Sequence, residues 1–210
     1  MHDLQVLSVC SGTKGKVNVT FDNGVSLLLY GSEIRKLPSE EARLLMQEGA
    51  AISYECYQRI LTETVGLRAK KRAVFLLERM DRTEHQLSEK LRSSGYPEVC
   101  VRDAVAYVKG YHYIDDLRYA RHYIGYHQCC KSRQKLKLDL MRKGVSRNDI
   151  EQALKEAFDS DERIQIRKLL EKRRYNFADS DEKEQRRTYQ FLMRRGYQSS
   201  DILYVMKNQD

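Results

Sequence analysis

Apolar residues recur at the same places in three stretches of the chain, each centred on a glycine. The glycines are Gly95, Gly144 and Gly196, which lie 49 and then 52 residues apart. Relative to each glycine, positions −4, +1, +6 and +10 are apolar, and position −8 is Leu, Leu and then Thr. Self-similarity at a fixed period is typical of tandem repeats, whose units stack to bury their apolar faces. The pattern therefore predicts three structural repeats.

Helical periodicity predicts three helices in each repeat. Val101, Val105 and Val108, for example, follow the spacing of one helix face. The predicted helices are 67–80, 84–93 and 98–108, then 116–129, 133–143 and 147–158, and finally 162–177, 181–195 and 200–207. Thr83 and Gln86 have the spacing of a capping box. Each repeat glycine stands where a left-handed residue ends a helix. Stacked repeats of this kind predict an elongated, curved rod.

The first thirty residues have the pattern of strands instead. The segments 4–9, 16–21 and 25–30 are rich in β-branched and aromatic residues. Asn23-Gly24 is a strong hairpin signal, and Gly12 and Gly15 are predicted to turn the first pair. We expect a small antiparallel sheet, which must pack on the helices that follow because it would be only marginally stable alone.

Short helices should connect this sheet to the repeats. Ser39 is predicted as an N-cap and Gly49 as the end of that helix. A further helix is expected from Ser53 to about residue 64, with Gly66 separating it from the repeats. The fold class is therefore mainly α, preceded by a small α+β unit. We expect that unit at 1–66 and the repeats at 67–110, 111–159 and 160–210.

The positive charge is concentrated in the repeats. The chain of 210 residues carries a net charge of +8, and its segments 1–66, 67–130 and 131–210 contribute −2, +4 and +6. A basic surface suits a phosphate backbone or an acidic protein. A solvated helical surface is the alternative explanation for any single Lys or Arg, because both residues favour helices.

Several classes of protein are not expected from the sequence. No segment has the apolar length of a membrane span and the start does not resemble a signal peptide, so we expect a cytoplasmic protein. The five cysteines, including Cys129-Cys130, form no C-x-x-C pair and indicate reduced thiols. We expect no metal or cofactor and no enzymatic activity, since phosphate-loop and hydrolase motifs are absent from the sequence.

Residues 113–120 read Tyr-Ile-Asp-Asp-Leu-Arg-Tyr-Ala. An Asp at a helix start caps free amides, so structure alone could explain this octet. It also closely resembles the Y-[LI]-D-D-x-R-Y-A signature of the RecX family, regulators of the RecA recombinase. The segments around Arg82, Lys143-Gly144 and Arg195-Gly196 resemble further motifs of that family. The positions that carry the resemblance, with mainly structural roles, are Tyr113, Asp115, Asp116, Arg118, Tyr119, Ala120, Gly95, Gly144 and Gly196.

The resemblance covers about residues 67–207 and implies a specific function. RecX proteins are three tandem three-helix repeats that engage the RecA filament on single-stranded DNA and inhibit its ATPase and strand exchange. Such a protein takes part in regulating DNA repair, homologous recombination and the SOS response. The resemblance implies RecA and single-stranded DNA as partners, together with possible contacts to double-stranded DNA. We expect a monomer.

Clusters of basic residues are the candidate partner contacts. These are Lys131, Arg133, Lys135, Arg142, Lys143, Arg173, Arg174, Arg186, Arg187, Arg194 and Arg195. Arginine binds phosphate and carboxylate in a bidentate manner, which favours the last group. The many tyrosines between residues 107 and 126 could stack on bases, although helical spacing favours packing roles. The alternative function is a basic helical-repeat protein that binds DNA and acts by competing for it.

Overall fold

The chain divides after Ile114 into two compact units. This computed structural model describes residues 2–158 and 161–208. The first unit contains a four-stranded antiparallel sheet and the first helical repeat, and the second unit contains the other two repeats. The prediction of a mainly helical fold behind an N-terminal antiparallel sheet is confirmed.

The sheet follows the predicted strands and adds one more. Its strands are β1 (Leu4–Ser11), β2 (Lys16–Phe21), β3 (Ser26–Tyr30) and β4 (Ala51–Ile52), in the order β3-β2-β1-β4. Gly24 turns β2 into β3 with a φ of +78°. The pleat places Val17, Val19 and Phe21 on the buried face. Strand β4 was not predicted. It has only two residues, which pair with Leu4 and Gln5, and this is too short to show the alternation of apolar and polar residues that is typical of a strand.

Two predicted roles in the connecting helices are wrong. Helices α1 (Gly31–Ile34) and α2 (Ser39–Leu45) follow the sheet. Ser39 is the first helical residue rather than the N-cap, because the Pro38 carbonyl already accepts a hydrogen bond from the Ala42 amide at 2.9 Å. Gly49 lies beyond the helix, at a φ of +80°, where its amide donates to the Val6 carbonyl at 2.8 Å.

Gly66 does not interrupt the helix that it was predicted to end. Helix α3 (Tyr54–Arg59) continues through a π-helical segment (Ile60–Gly66) directly into α4 (Leu67–Arg79). Gly66 has helical dihedrals, and a β-carbon there would lie 3.0 Å from the Leu61 carbonyl oxygen. Its lack of a side chain thus accommodates the wide turn, while buried neighbours such as Val65 hold the segment in the core. The sheet and the first repeat consequently share one hydrophobic core.

Each repeat contains three helices, as predicted. The first repeat is completed by α5 (Glu84–Arg92) and α6 (Glu98–Gly110). The second has α7 (Asp116–His127), α8 (Arg133–Arg142) and α9 (Arg147–Ala157). The third has α10 (Glu162–Lys172), α11 (Glu182–Arg194) and α12 (Ser199–Lys207). Helix α10 ends well before its predicted limit at 177, because Arg174 adopts a left-handed φ of +53°.

The repeated apolar positions form the cores of the three repeats. Of the fifteen residues at positions −8, −4, +1, +6 and +10, which include the polar Thr188, fourteen are buried, and the exception, Tyr96, is half-buried. The buried positions are Leu87, Leu91, Val101 and Val105; Leu136, Leu140, Val145, Ile150 and Leu154; and Thr188, Leu192, Tyr197, Ile202 and Met206. The predicted capping box is also present, since the Gln86 amide donates to the Thr83 hydroxyl at 3.1 Å.

The repeat glycines adopt the predicted left-handed conformation. Gly95, Gly144 and Gly196 have φ values of +83°, +83° and +84°. Gly196 is constrained a second time, because a β-carbon there would lie 2.6 Å from Ser132 Oγ at the start of α8. The Ser132 amide also donates to the Arg195 carbonyl at 3.4 Å. The third repeat therefore packs on the second through a turn that has no room for a side chain.

Replacing Gly95 and Gly196 by alanine should separate these two constraints. G95A should lower the free energy of unfolding by about 1–2 kcal/mol, from the left-handed conformation alone. G196A should cost at least about 1 kcal/mol more, because its methyl group also meets the start of α8. Urea denaturation of both variants measures the difference. Equal losses would contradict the close contact at Gly196.

Candidate functional site

Two basic pairs occupy equivalent places in the second and third repeats. Arg142-Lys143 precede Gly144, and Arg194-Arg195 precede Gly196. We call these segments, each with its glycine, the basic turns. Cations there lie at the C-terminal end of a helix, where the helix dipole stabilises positive charge. In both turns the first cation is exposed and the second is half-buried against an aromatic ring.

The basic turn of the third repeat brings together two separate candidates. The guanidinium carbons of Arg173 and Arg195 lie 4.4 and 3.9 Å from the centroid of the Phe191 ring. A guanidinium that lies above an aromatic ring is attracted electrostatically to the face of the ring. The end of α10 and the end of α11 therefore form one cationic group around Phe191. Arg174 follows Arg173 and is exposed.

Helix α11 presents the least encumbered arginines. Arg187 and Arg194 are seven residues apart on one continuous helix, so they share a face, and both are exposed. Arg186 is exposed on the adjoining face. Within the described part of the chain, none of these three forms an ion pair. Their charge is therefore available to an external partner.

The basic cluster of the second repeat is mostly tied up internally. Lys131 Nζ lies 2.9 Å from Asp139 Oδ2 and 2.8 Å from Tyr123 Oη. Lys135 Nζ lies 3.3 Å from Asp139 Oδ1. We call these four side chains the Asp139 network. Lys131 and Lys135 are therefore structural in the free protein, contrary to the simplest interpretation of their charge.

The other candidate contacts in this repeat differ in their exposure and in the contacts that their side chains make within the protein. Lys143 Nζ lies 5.1 Å from the centroid of the Tyr123 ring. The Arg133 guanidinium is exposed and lies 5.9 Å from the Phe158 ring, while its amide donates to Glu162 at 2.7 Å. Arg142 is exposed, and the described residues include no ion-pair partner for it. Arg142 is thus the counterpart of Arg194 in the third repeat.

Charge and burial set the protonation of the Asp139 network. Burial alone would raise the pKa of Asp139, but hydrogen bonds from Lys131 and Lys135 and their charges hold it below its ordinary value. Burial, together with the charge of Lys131, lowers the pKa of the neighbouring His127. The aspartate is therefore ionised and the histidine neutral at pH 7.

The signature octet has mainly structural contacts. Asp115 caps α7 by accepting a hydrogen bond from the Arg118 amide at 2.8 Å, and Ala120 is fully buried. Tyr119 is half-buried and its ring lies 6.4 Å from that of Tyr123. Asp116 lies in the first turn of α7, where its charge favours the helix dipole. The octet thus starts the second repeat.

Several tyrosines near the octet are not packing residues. The side chains of Tyr107, Tyr111 and Tyr113 are exposed and contact one another, with centroid distances of 4.9 and 6.0 Å. Tyr126 is 82% exposed. The expectation that helical spacing would bury most of this group is therefore wrong for these four, since they lie on outward faces or in the turn after α6.

One basic group was missed by the sequence reasoning. Helix α4 carries four cations within five residues, Arg68, Lys70, Lys71 and Arg72, and this density was visible in the sequence. The turn before Gly95 has Ser93-Ser94 where the other repeats have a basic pair. In the first repeat, cations of α4 lie beside the turn that contains Gly95. Three of these cations, Arg68, Lys71 and Arg72, line an open cleft of about 430 Å³, which we call the Arg68 cleft; its other lining residues are Leu28, Tyr30, Ser94, Gly95 and Tyr96.

Metal binding and membrane insertion find no support in the described residues. No cluster of three or more His, Cys, Asp or Glu side chains among residues 2–158 and 161–208 could hold a metal ion. None of the described helices combines the length and the apolar character that crossing a bilayer requires. Cys129 is exposed, and Cys130 is half-buried with its pKa raised by burial.

Sequence comparison identifies all three repeats. Profiles described as the first, second and third three-helix domains of RecX match residues 69–107, 115–154 and 161–206. Regulatory protein RecX of Clostridium botulinum (strain Alaska E43 / Type E3) is 26% identical over 214 residues, covering 99% of this chain and 96% of that protein. Regulatory protein RecX of Clostridium perfringens (strain 13 / Type A) is 30% identical over 156 residues, covering 72% and 73%.

Solved structures share the fold of this chain. A crystal structure of regulatory protein RecX superposes with a TM-score of 0.62 at 23% identity, covering 98% of this chain and 99% of the other. RecX from Lactobacillus salivarius superposes with a TM-score of 0.58 at 25% identity, covering 70% and 97%. The first of these likenesses spans both the sheet and the three repeats.

Removing the charge of Asp139 should test the role assigned to the Asp139 network. D139N should lower the free energy of unfolding at pH 7 by about 1–2 kcal/mol, because two lysines lose their charged acceptor. The lowered pKa means that this stabilisation is present above pH 3.8, the ordinary value for Asp, and is lost as pH falls through the folded-state value.

Denaturation of D139N and its parent between pH 7 and pH 2 measures this effect. E171Q, which removes one exposed carboxylate from the same unit, is the matched control and should stay near the parent. A D139N deficit that persists undiminished at the lowest pH would show that packing, not charge, is responsible.

Proposed function

Because the chain belongs to the RecX family, we propose that it binds the filament that RecA forms on single-stranded DNA and inhibits its ATPase and strand exchange. A regulatory role linked to RecA follows from the family. The inhibitory action, the filament as the binding partner and the contact residues are the finer parts of the proposal. Such a protein would act in DNA repair, recombination and the SOS response.

The observation that carries the proposal is the repetition of the basic turn. Arg142 and Arg194 are exposed at equivalent places in two repeats, each beside a second cation. A filament offers its partner the same acidic features at regular intervals, since it repeats both a protein subunit and a stretch of phosphate backbone. A tandem repeat that presents equivalent cations matches a partner of that kind.

Binding alone is sufficient for the proposed inhibition. A protein that contacts more than one RecA subunit stabilises the arrangement of subunits that it binds best. Conformations needed for ATP turnover or strand exchange become less populated in proportion to that preference. The regulator therefore needs affinity for the filament and enough length to contact more than one RecA subunit, but no reacting group of its own.

Competition for DNA is the alternative function, and one observation favours it. The net charge of +8 is concentrated in the helical repeats, as expected for binding to bare phosphate backbone. RecA ATPase on saturating single-stranded DNA distinguishes the two functions. Inhibition at well below one protein per RecA supports action on the filament. A need to coat the DNA, with steep salt dependence in the absence of RecA, supports competition.

Arg187 and Arg194 should contribute directly to inhibition. R187A/R194A removes two exposed charges that make no ion pair within the described residues, so the fold should be unaffected. We expect the concentration for half-maximal inhibition of RecA ATPase to rise about fivefold to tenfold. Arg195 is left in place because it packs on Phe191 and would confound the result.

The control removes equal charge from the same unit. R147A/K155A changes two exposed cations of α9 and should inhibit within about twofold of the parent. Circular dichroism and urea denaturation confirm that both variants are folded. If both double variants lose inhibition equally, total charge rather than the α11 face is responsible, and the assignment of these arginines is wrong.

A further inference from the structure

The Arg68 cleft belongs to the first unit, whereas both basic turns belong to the second, and nothing in the proposed function uses the cleft. Its walls come from three elements: strand β3, helix α4 and the turn that holds Gly95 and Tyr96. We propose that this cleft binds one nucleotide of a single-stranded nucleic acid. In this proposal Lys71 and Arg72 contact the phosphate, and the rings of Tyr30 and Tyr96 contact the base.

Arg68 holds the cleft in shape. Its guanidinium donates to Glu33 Oε2 at 2.6 Å and to the Leu28 carbonyl. Its guanidinium carbon also lies 4.8 Å from the Tyr30 ring centroid and 5.5 Å from that of Tyr96. One side chain therefore fixes two aromatic rings and a strand. A site whose walls are fixed beforehand loses less conformational entropy when a ligand binds.

The charge available to a ligand comes from the next turn of α4. Arg68 is compensated by Glu33, whereas Lys71 is exposed and has no ion-pair partner within the described residues. Arg72 is half-buried and lies 5.2 Å from the Phe75 ring, which holds its carbon chain, and no carboxylate among the described residues forms an ion pair with it. Among residues 2–158 and 161–208, no carboxylate side chain lines the cleft. This charge balance favours an anion, and both cation types bind phosphate.

The tyrosines favour a nucleotide over other anions. Stacking of a base on an aromatic side chain gives affinity with little dependence on sequence, and cations beside the ring attract the backbone. An acidic peptide would use the cations but gain little from two aromatic walls. A duplex keeps its bases stacked inside, out of reach of rings recessed in a cleft of about 430 Å³. Single-stranded nucleic acid satisfies both parts of the site.

Fluorescence anisotropy with the full chain and a labelled oligothymidine, in the absence of RecA, tests the phosphate contacts. K71Q/R72Q should weaken binding about tenfold and reduce the magnitude of the slope of log K against log salt by about 1.4, the value for two lost contacts. R43Q/R102Q is the control, because it removes two exposed charges from the same unit outside the cleft. If both variants bind alike, the cleft is not the site.

Tyr96 tests the base contact separately. Y96L should weaken binding at least about fivefold with an unchanged salt slope, whereas Y96F should bind like the parent, since it keeps the ring. Denaturation of both variants checks that they remain folded. If a labelled polyglutamate peptide binds as tightly as the oligothymidine, depends on Lys71 and Arg72, and ignores Y96L, the cleft is an acidic-peptide site and the proposal fails. Because RecA is absent, this outcome is independent of the proposed function.

Discussion

A left-handed glycine after the second helix of each repeat is the constraint on which the architecture depends. At a φ near +83°, a residue with a side chain is strained, and the chain can reverse between the second and third helices at little cost only because glycine is present. The reversal sends the next residue back into the core, as with Val145 and Tyr197. It also fixes the distance between the apolar residues on either side. The repeated core follows from this turn.

The same turn explains why charge accumulates where it does. A helix that ends at a left-handed glycine leaves its last carbonyl groups near the surface, and cations are favoured beside them. Two of the three turns use this place for a pair of basic residues, while the first has Ser93-Ser94 and draws its cations from α4. One scaffold therefore carries different surfaces. The buried positions and the glycines recur in every repeat, whereas the charged surface positions differ between repeats.

The sequence predicted local structure well and the state of individual side chains poorly. Apolar periodicity and glycine spacing located the nine helices of the three repeats, because both signals depend on residues that are close together in the sequence. The pairing of Lys131 with Asp139 depends on how α7, α8 and their connection pack, so charge density alone could not show that this lysine is paired within the free protein. The Arg68 cleft combines Leu28 with Gly95, which are far apart in the chain. The helical Gly66 was missed because burial of its neighbours outweighs its own weak propensity.

The unbroken passage from α3 through Gly66 into α4 has a consequence for how such a chain can evolve. A domain joined by a flexible linker can be added or removed by recombination of gene segments, since each part folds by itself. Here the sheet is joined to the first repeat by a continuous helix and by a shared interior. Deleting it would uncover the apolar side of that repeat. Adding or removing the sheet would therefore also require changes to the apolar residues of the first repeat, so the two behave as one folding unit rather than as interchangeable modules.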